Sequence, residues 1–381
     1  MKASEQITHV RRILGTTRRL LWTAGVLGAL CALVVLGSCG KTNNTAGPDV
    51  KNESAAGDNP ADFRADAGGL AVNEPAEDEA AEDAVENEVA NDNAWSESAK
   101  RGEFATEYRA GETDPSTTAG QTVVLVGAGD IANSGSGDLA TCKLIDAMPN
   151  ALVFTAGDNA YSIGSTSNFS SYYAPTWGRF KSRTRPAPGN HDYNTSGAKP
   201  YYSFFGANAG PSGRGYYSYN YGDWHIVSLN SNISMSAGSA QEKWLKADLA
   251  ANPTACTLAY WHHPRFSSGS HGSSTKSSAI WQDLYNAGAE IVVVGHDHDY
   301  ERFAPMTAGG TRDDARGVRE FVAGMGGTGH RSMGKIANSE ARNASTFGVL
   351  KLTLAPTSYQ WEFVPVAGKT YKDTGSGTCH R

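Results

Sequence analysis

From Gln121 onward the chain alternates short apolar runs with stretches whose apolar residues recur at helical spacing. The runs Thr122 to Val126, Ala151 to Thr155, His225 to Leu229, Leu258 to Trp261, Glu290 to Val294, Arg319 to Ala323, Val349 to Leu354 and Tyr359 to Val364 predict buried strands. Between them, Asp138 to Met148, Gln241 to Ala251 and Lys276 to Asn286 predict helices. Strands that alternate with helices and end in a strand-rich stretch define an α/β domain over residues 121–381, with a more antiparallel C-terminal part. No internal repeat suggests a solenoid or propeller.

The first 120 residues read differently. Arg11, Arg12, Arg18 and Arg19 precede an uncharged apolar run from Leu20 to Gly37, the layout of an export signal. It ends in Leu36-Gly37-Ser38-Cys39, which resembles the lipobox of bacterial lipoproteins, and that resemblance implies cleavage before Cys39 and its lipidation. An uncleaved membrane anchor is the alternative, because the run is just long enough to span a bilayer; the paired arginines leave Sec and twin-arginine export both open. Every version places the remainder outside the cytoplasm, attached to a membrane at its periplasmic or extracellular face. Residues 40–120 are rich in Ala, Glu, Asp and Asn; between Ala65 and Ala99 stand 11 acidic residues and no Lys or Arg. Such a segment cannot bury enough apolar surface to offset its ordering entropy and is expected to be a disordered acidic linker.

That window alone exceeds the chain's net charge of -6, so overall acidity says little about the substrate. No basic stripe interleaved with aromatics argues for a nucleic-acid partner. Of five cysteines, Cys142, Cys256 and Cys379 lie beyond the signal region. An oxidising compartment permits one disulfide among them; Cys256 with Cys379 would tie the tail to the body of the domain, although spacing leaves the pairing open.

The chemistry sits at strand ends. Asp130 follows Val123 to Val126 through Gly127-Ala128-Gly129, Asp158 follows Leu152 to Thr155 through Ala156-Gly157, and His296 follows Ile291 to Val294 through Gly295. Ligands of open α/β sheets bind at this edge, and glycine lets backbones crowd close to a site. His225, inside a strand between Trp224 and Ile226, reads as structural.

Five clusters in order resemble the calcineurin-like metallophosphoesterases, and more narrowly the single-domain bacterial purple acid phosphatases. They are Gly129-Asp130-Ile131-Ala132, Gly157-Asp158-Asn159-Ala160-Tyr161, Gly189-Asn190-His191-Asp192, Trp261-His262-His263-Pro264 and Gly295-His296-Asp297-His298-Asp299-Tyr300-Glu301-Arg302. The resemblance implies a four-layer αββα sandwich of two mixed β-sheets with a dinuclear metal centre. Asp130 and His298 would bind one metal, Asn190, His262 and His296 the other, and Asp158 would bridge both. Ala132 stands where many metallophosphoesterases carry a metal-binding His. The purple acid phosphatases make the same departure and supply a tyrosine three residues after the bridging Asp, the place of Tyr161. A phenolate ligand implies Fe(3+) at the first site, with divalent Fe, Zn or Mn at the second. The resemblance further implies that His191, over the phosphate, assists the leaving group, and His271 is a second candidate for that role. Asp192, Asp297 and Asp299 are expected to orient ligands or cap loops, and the Tyr/Ser/Gly-rich stretches Ser162 to Tyr173 and Asn194 to Ser218 to shape the pocket.

The expected function is hydrolysis of a small phosphorylated substrate, a phosphate monoester, by hydroxide made available at the metals, in the manner of an acid phosphatase. A phosphodiesterase or nucleotidase on the same scaffold is the alternative enzyme reading, and a non-catalytic surface binding protein the alternative outside catalysis.

Overall fold

The structure, a computed structural model, describes residues 112–113, 117–254 and 256–380. The expected export signal with Cys39 and nearly all of the acidic linker lie outside the described residues.

Two mixed sheets form the body. The six-stranded sheet contains β2 (Val123–Ala128), β3 (Leu152–Ala156), β4 (Thr184–Ala187), β12 (Gly348–Ala355), β13 (Ser358–Pro365) and β14 (Thr374–Thr378), in the order β14-β13-β12-β2-β3-β4. β2, β3 and β4 run parallel, while β12, β13 and β14 continue the sheet antiparallel. The eight-stranded sheet contains β1 (Glu112–Thr113), β5 (Tyr217–Tyr221), β6 (Trp224–Ser228), β7 (Cys256–Tyr260), β8 (Ile291–Val294), β9 (Tyr300–Phe303), β10 (Arg319–Ala323) and β11 (Ser339–Asn343), in the order β1-β5-β6-β7-β8-β10-β9-β11. All eight strands expected from the sequence are present. β1 pairs with β5 within the stretch that composition assigns to the linker, so the sheet begins before Gly120. Backbone pairing at a sheet edge needs no apolar side chain, which is why composition is blind to it.

Alternation along the central strands explains the layering. Ile226, Leu258, Tyr260, Ile291, Val293 and Phe321 face one buried cluster, shared with Val126, Phe154, Leu350 and Leu352 of the other sheet. Their neighbours Val227, Ala259, Val292, Val294 and Val322 face a second cluster with Leu245, Ile280, Trp281 and Leu284. A strand buried on both faces reads as a continuous apolar run, which is how β8 appears in the sequence. The second cluster is closed by α2 (Ala240–Ala251) and α3 (Ser278–Ala287), which pack on one another. α2 begins where Ser239 Oγ accepts a hydrogen bond from Glu242 N, and α3 stops at Gly288, whose φ of 76° suits a left-handed cap. On the six-stranded sheet lies α1 (Gly137–Asp146), with Cys142 and Ile145 buried and β12 as neighbour. The order helix, sheet, sheet, helix is the four-layer sandwich expected.

Cys256, at the start of β7, is bonded to Cys379, just past β14, so a disulfide ties an edge of one sheet to the middle of the other. Cys142 is a buried free thiol.

Candidate metal centre

The C-terminal ends of β2, β3, β4, β7 and β8 open on one edge, and the loops that follow them carry the expected site residues. Asp130, Asp158 and His296 have φ of 59°, 51° and 72°. Left-handed backbone costs a residue with a side chain about 1 kcal/mol or more, and such strain concentrates where a side chain must be aimed. Gly157 makes room as well as the turn: at φ 85°, a Cβ on it would lie 2.5 Å from the His262 ring. Backbone bonds extend the pairing of β2 and β3 into the loops, from Ile131 N to Asp158 O at 3.0 Å and from Tyr161 N to Ala132 O at 2.8 Å. Ala132, a position without a side-chain donor, is therefore the residue whose carbonyl fixes Tyr161.

The seven expected ligands come together as two donor groups that share one atom. In the first, Tyr161 Oη lies 2.8 Å from Asp130 Oδ1, 2.8 Å from Asp158 Oδ2 and 3.2 Å from His298 Nε2, and His298 Nε2 is 3.4 Å from Asp130 Oδ1. In the second, Asn190 Oδ1 lies 2.9 Å from His262 Nε2 and 3.1 Å from His296 Nδ1, and His262 Nε2 is 3.3 Å from Asp158 Oδ2. Ligands held about 2.1 Å from one ion and at right angles lie about 3.0 Å apart, so these spacings are the edges of coordination polyhedra. Asp158 Oδ2 belongs to both.

The orientation of the imidazoles tests whether cations fit. His262 Nδ1 faces Ala156 O at 2.8 Å and His298 Nδ1 faces Gly329 O at 3.0 Å. A carbonyl only accepts, so each Nδ1 carries a proton, and each Nε2 is turned toward oxygens that are themselves acceptors, where it either holds a metal ion as a neutral ring or takes up a second proton. Tyr161 has one hydroxyl proton for two carboxylate oxygens. Acceptor facing acceptor in a buried site is unfavourable unless a cation lies between, and Asp130, Asp158 and His262 are all buried. The titration behaviour follows from that geometry. Burial raises the Asp158 carboxyl, but the charges of His262 and His191 and its hydrogen bonds carry it well below the usual carboxylate range. Burial would lower the His262 imidazole, yet the Asp158 and Asp130 carboxylates push it up to about 9. Burial and the two carboxylates hold Tyr161 well above the ordinary phenol value, and burial among other histidines holds His296 well below that of imidazole. A phenolate at Tyr161 therefore requires strong positive charge beside it.

Around this cage, Asp192 accepts from Gly189 N and Asn159 Nδ2, each at 2.9 Å, and so holds the turn that presents Asn190. Asp297 accepts from His271 N at 2.8 Å and from Ser267 Oγ. Both orient the loops as expected, whereas the buried carboxyl oxygens of Asp299 have no hydrogen-bond partner. Arg302 and Tyr300 bond to Asp373 at 2.8 Å and 2.7 Å and lock the loop after the His296 and His298 pair. His225 is a buried strut between Asn220 and Asp248, both at 2.8 Å.

His191 stands over the cage, its N–H 2.9 Å from Asp158 Oδ1 and its ring Nδ1 bonded to Ser162 O. The His271 ring stacks on His296 with centroids 4.1 Å apart. The mouth is lined by His191, His271 and Arg331 above Asp158, Asn190, His296 and His298. None of these seven belongs to the Tyr/Ser/Gly-rich stretches, whose Ser162 O holds the His191 ring from behind. Phe169, Tyr173, Tyr201 and Phe205 of those stretches are buried instead, because their rings pack edge to face on one another. Arg331 stands in none of the five sequence clusters. Its signal was the glycine run before it: Gly326 N bonds to Gly129 O at 3.0 Å and Thr328 N to Asp130 O at 2.9 Å, so that loop is bound to the cage.

Residues 119–300 match the model of the calcineurin-like phosphoesterase family. Purple acid phosphatase 15 of Arabidopsis thaliana is 32% identical over 145 residues, 33% of this chain and 27% of that protein. Purple acid phosphatase 18 of the same plant is 25% identical over 228 residues, 52% of this chain and 48% of that protein. The chain thus spans under half the length of these curated relatives. The purple acid phosphatase PPD1 from yellow lupin seeds shares the fold with a TM-score of 0.62 over 68% of this chain and 55% of that chain, at 19% identity. Residues 119–300 thus resemble the calcineurin-like phosphoesterase superfamily, and the fold is that of a purple acid phosphatase of known structure. Within that superfamily its similarity is to the purple acid phosphatases, a group that implies a binuclear metal centre.

Proposed function

We propose that the protein is a metal-dependent phosphatase that hydrolyses phosphate monoesters at a dinuclear centre of the purple acid phosphatase type. The observation that carries this reading is the single oxygen, Asp158 Oδ2, common to two donor groups whose spacings are those of metal polyhedra. Asp130, Tyr161 and His298 would hold the first ion, taken as Fe(3+) because a buried phenolate beside two carboxylates calls for a trivalent charge; Asn190, His262 and His296 would hold a divalent one. Two cations held there would supply positive charge for phosphoryl oxygens and would lower the pKa of water so that hydroxide is available near neutrality.

The chain's own groups do the rest. Ala156 O and Gly329 O fix the tautomers of His262 and His298, and Asp192 fixes the turn bearing Asn190. His191 donates through Nδ1 to Ser162 O, so its Nε2 can pass a proton to the departing oxygen only while the ring carries both protons. His271, stacked on His296 at the mouth, is placed to hold the same oxygen or its neighbour. In the cell the enzyme is an exported lipoprotein, held to the membrane by lipid on Cys39 and spaced from it by the acidic segment.

Metal analysis with a visible absorption spectrum, on wild type and Tyr161→Phe, tests the centre. About two metals per chain and a charge-transfer band absent from the variant are expected. Two metals without the band would discard the iron and tyrosinate assignment, and a protein that binds no metal under any loading condition would sink the mechanism.

A further inference from the structure

Among the seven residues that line the mouth, Arg331 alone bears a permanent positive charge. Its place there is built. Arg331 N lies 3.4 Å from His298 O, His298 Nδ1 donates to Gly329 O, and the His330 ring stacks on Phe347 with centroids 4.1 Å apart. Beyond it, Gly334 N donates to Ser268 O at 2.7 Å and Met333 bridges to Gly269, which joins this loop to the one that carries His271.

The phosphoryl group to be transferred is already provided for by the cage below and by His191 and His271. A guanidinium on the rim adds a planar fork of donors suited to a carboxylate or a phosphate. We infer that Arg331 is a specificity residue that binds a second anionic group on the substrate, so that the preferred substrates are phosphate esters whose leaving group itself carries a carboxylate or another phosphate. This rests on the phosphatase reading and names its substrate class.

The test uses two aryl phosphates that differ by one carboxylate on the ring, with the matching pair of non-hydrolysable aryl phosphonates, on the metal-loaded protein. Wild type should favour the carboxylated member of each pair by about ten- to a hundredfold, in KM for the esters and in Kd for the phosphonates. Arg331→Ala should abolish that preference by losing about ten- to a hundredfold more on the carboxylated member than on the plain one, and Arg331→Lys should restore part of it. Equal losses on both esters would mean that Arg331 holds the transferred phosphoryl group, and no preference in wild type would also overturn the inference. If neither ester is cleaved but the phosphonate preference is present and falls with Arg331→Ala, the phosphatase reading fails and the anion site stands.

Discussion

The two sheets contribute to the cage in different chemical currencies. The loops after β2, β3 and β4 of the six-stranded sheet supply oxygen: Asp130, Asp158, Tyr161 and Asn190. Those after β7 and β8 of the eight-stranded sheet supply nitrogen: His262, His296 and His298. Neither sheet can complete a polyhedron alone, since each donor group joins oxygens from one to imidazoles from the other. A bound cation would therefore link the sheets, and the packing between them sets the cage to within the tenths of an ångström that coordination tolerates. The chain of Asp158 is the point where this division should break most severely. Asp158→Ala removes the shared oxygen, and we expect metal content to fall from about two ions per chain to one or none and turnover to drop by about a thousandfold or more. Asn190→Ala removes an oxygen of one group only, and should leave the other ion in place. Metal analysis of both variants decides it: two ions retained in Asp158→Ala would show that the groups are independent.

A covalent link joins the same sheets elsewhere. Cys256 opens β7, and His262 lies two residues beyond its end. The disulfide closes a separation of 123 residues, which the loop-entropy model values at about 5 kcal/mol, less any strain relieved on its loss. The double variant Cys256→Ser with Cys379→Ser should lose most of that in chemical denaturation and melt about 10 °C or more lower. A fall under about 1 kcal/mol would mean that the buried cluster between the sheets holds β14 without help.

What was legible in the sequence follows the same division. The central strands could be read because both faces are buried: β8 is Ile-Val-Val-Val, and nothing else explains such a run. Edge elements could not. β14, Thr-Gly-Ser-Gly-Thr, has no apolar residue; Gly375 and Gly377 are there because the Trp361 and Tyr359 rings of β13 occupy the space of a side chain. β9 hides buried charge, with Glu301 satisfied by Ser268 and Arg302 by Asp373, so periodicity fails on it. At the site, residues at strand ends behind glycines were readable, because the sheet dictates where they emerge. Arg331 was not: it reaches the mouth through the lashing of its loop to His298 and Asp130, a long-range fact with no local period. Most of the aromatic residues of the Tyr-rich loops went into packing, for a related reason, while Ser162 O of the first loop holds the His191 ring. Aromatic residues there had more to gain by packing on each other than by facing water.

The smallest and most discriminating effect concerns whether the covalent and metal links act as one. At about 3.3 Å per residue, Cys256 and His262 are about 20 Å apart along β7, beyond the range at which perturbations usually couple. Saturating metal at about a hundredfold over its Kd should raise stability by about 2.7 kcal/mol for each ion bound, if the unfolded chain binds none. That increment should be the same, within about 0.5 kcal/mol, whether or not the disulfide is present. The cycle needs four denaturation curves: wild type and the double Cys variant, each apo and loaded. If the disulfide-free protein gains clearly less from metal, the two sheets drift at the metal end when released at the other, and the cage geometry depends on β7 acting as a rigid rod. If the gains are equal, the buried cluster around Leu258, Tyr260, Ile291 and Phe154 sets the sheet spacing by itself. The disulfide would then stabilise the fold without aligning the site.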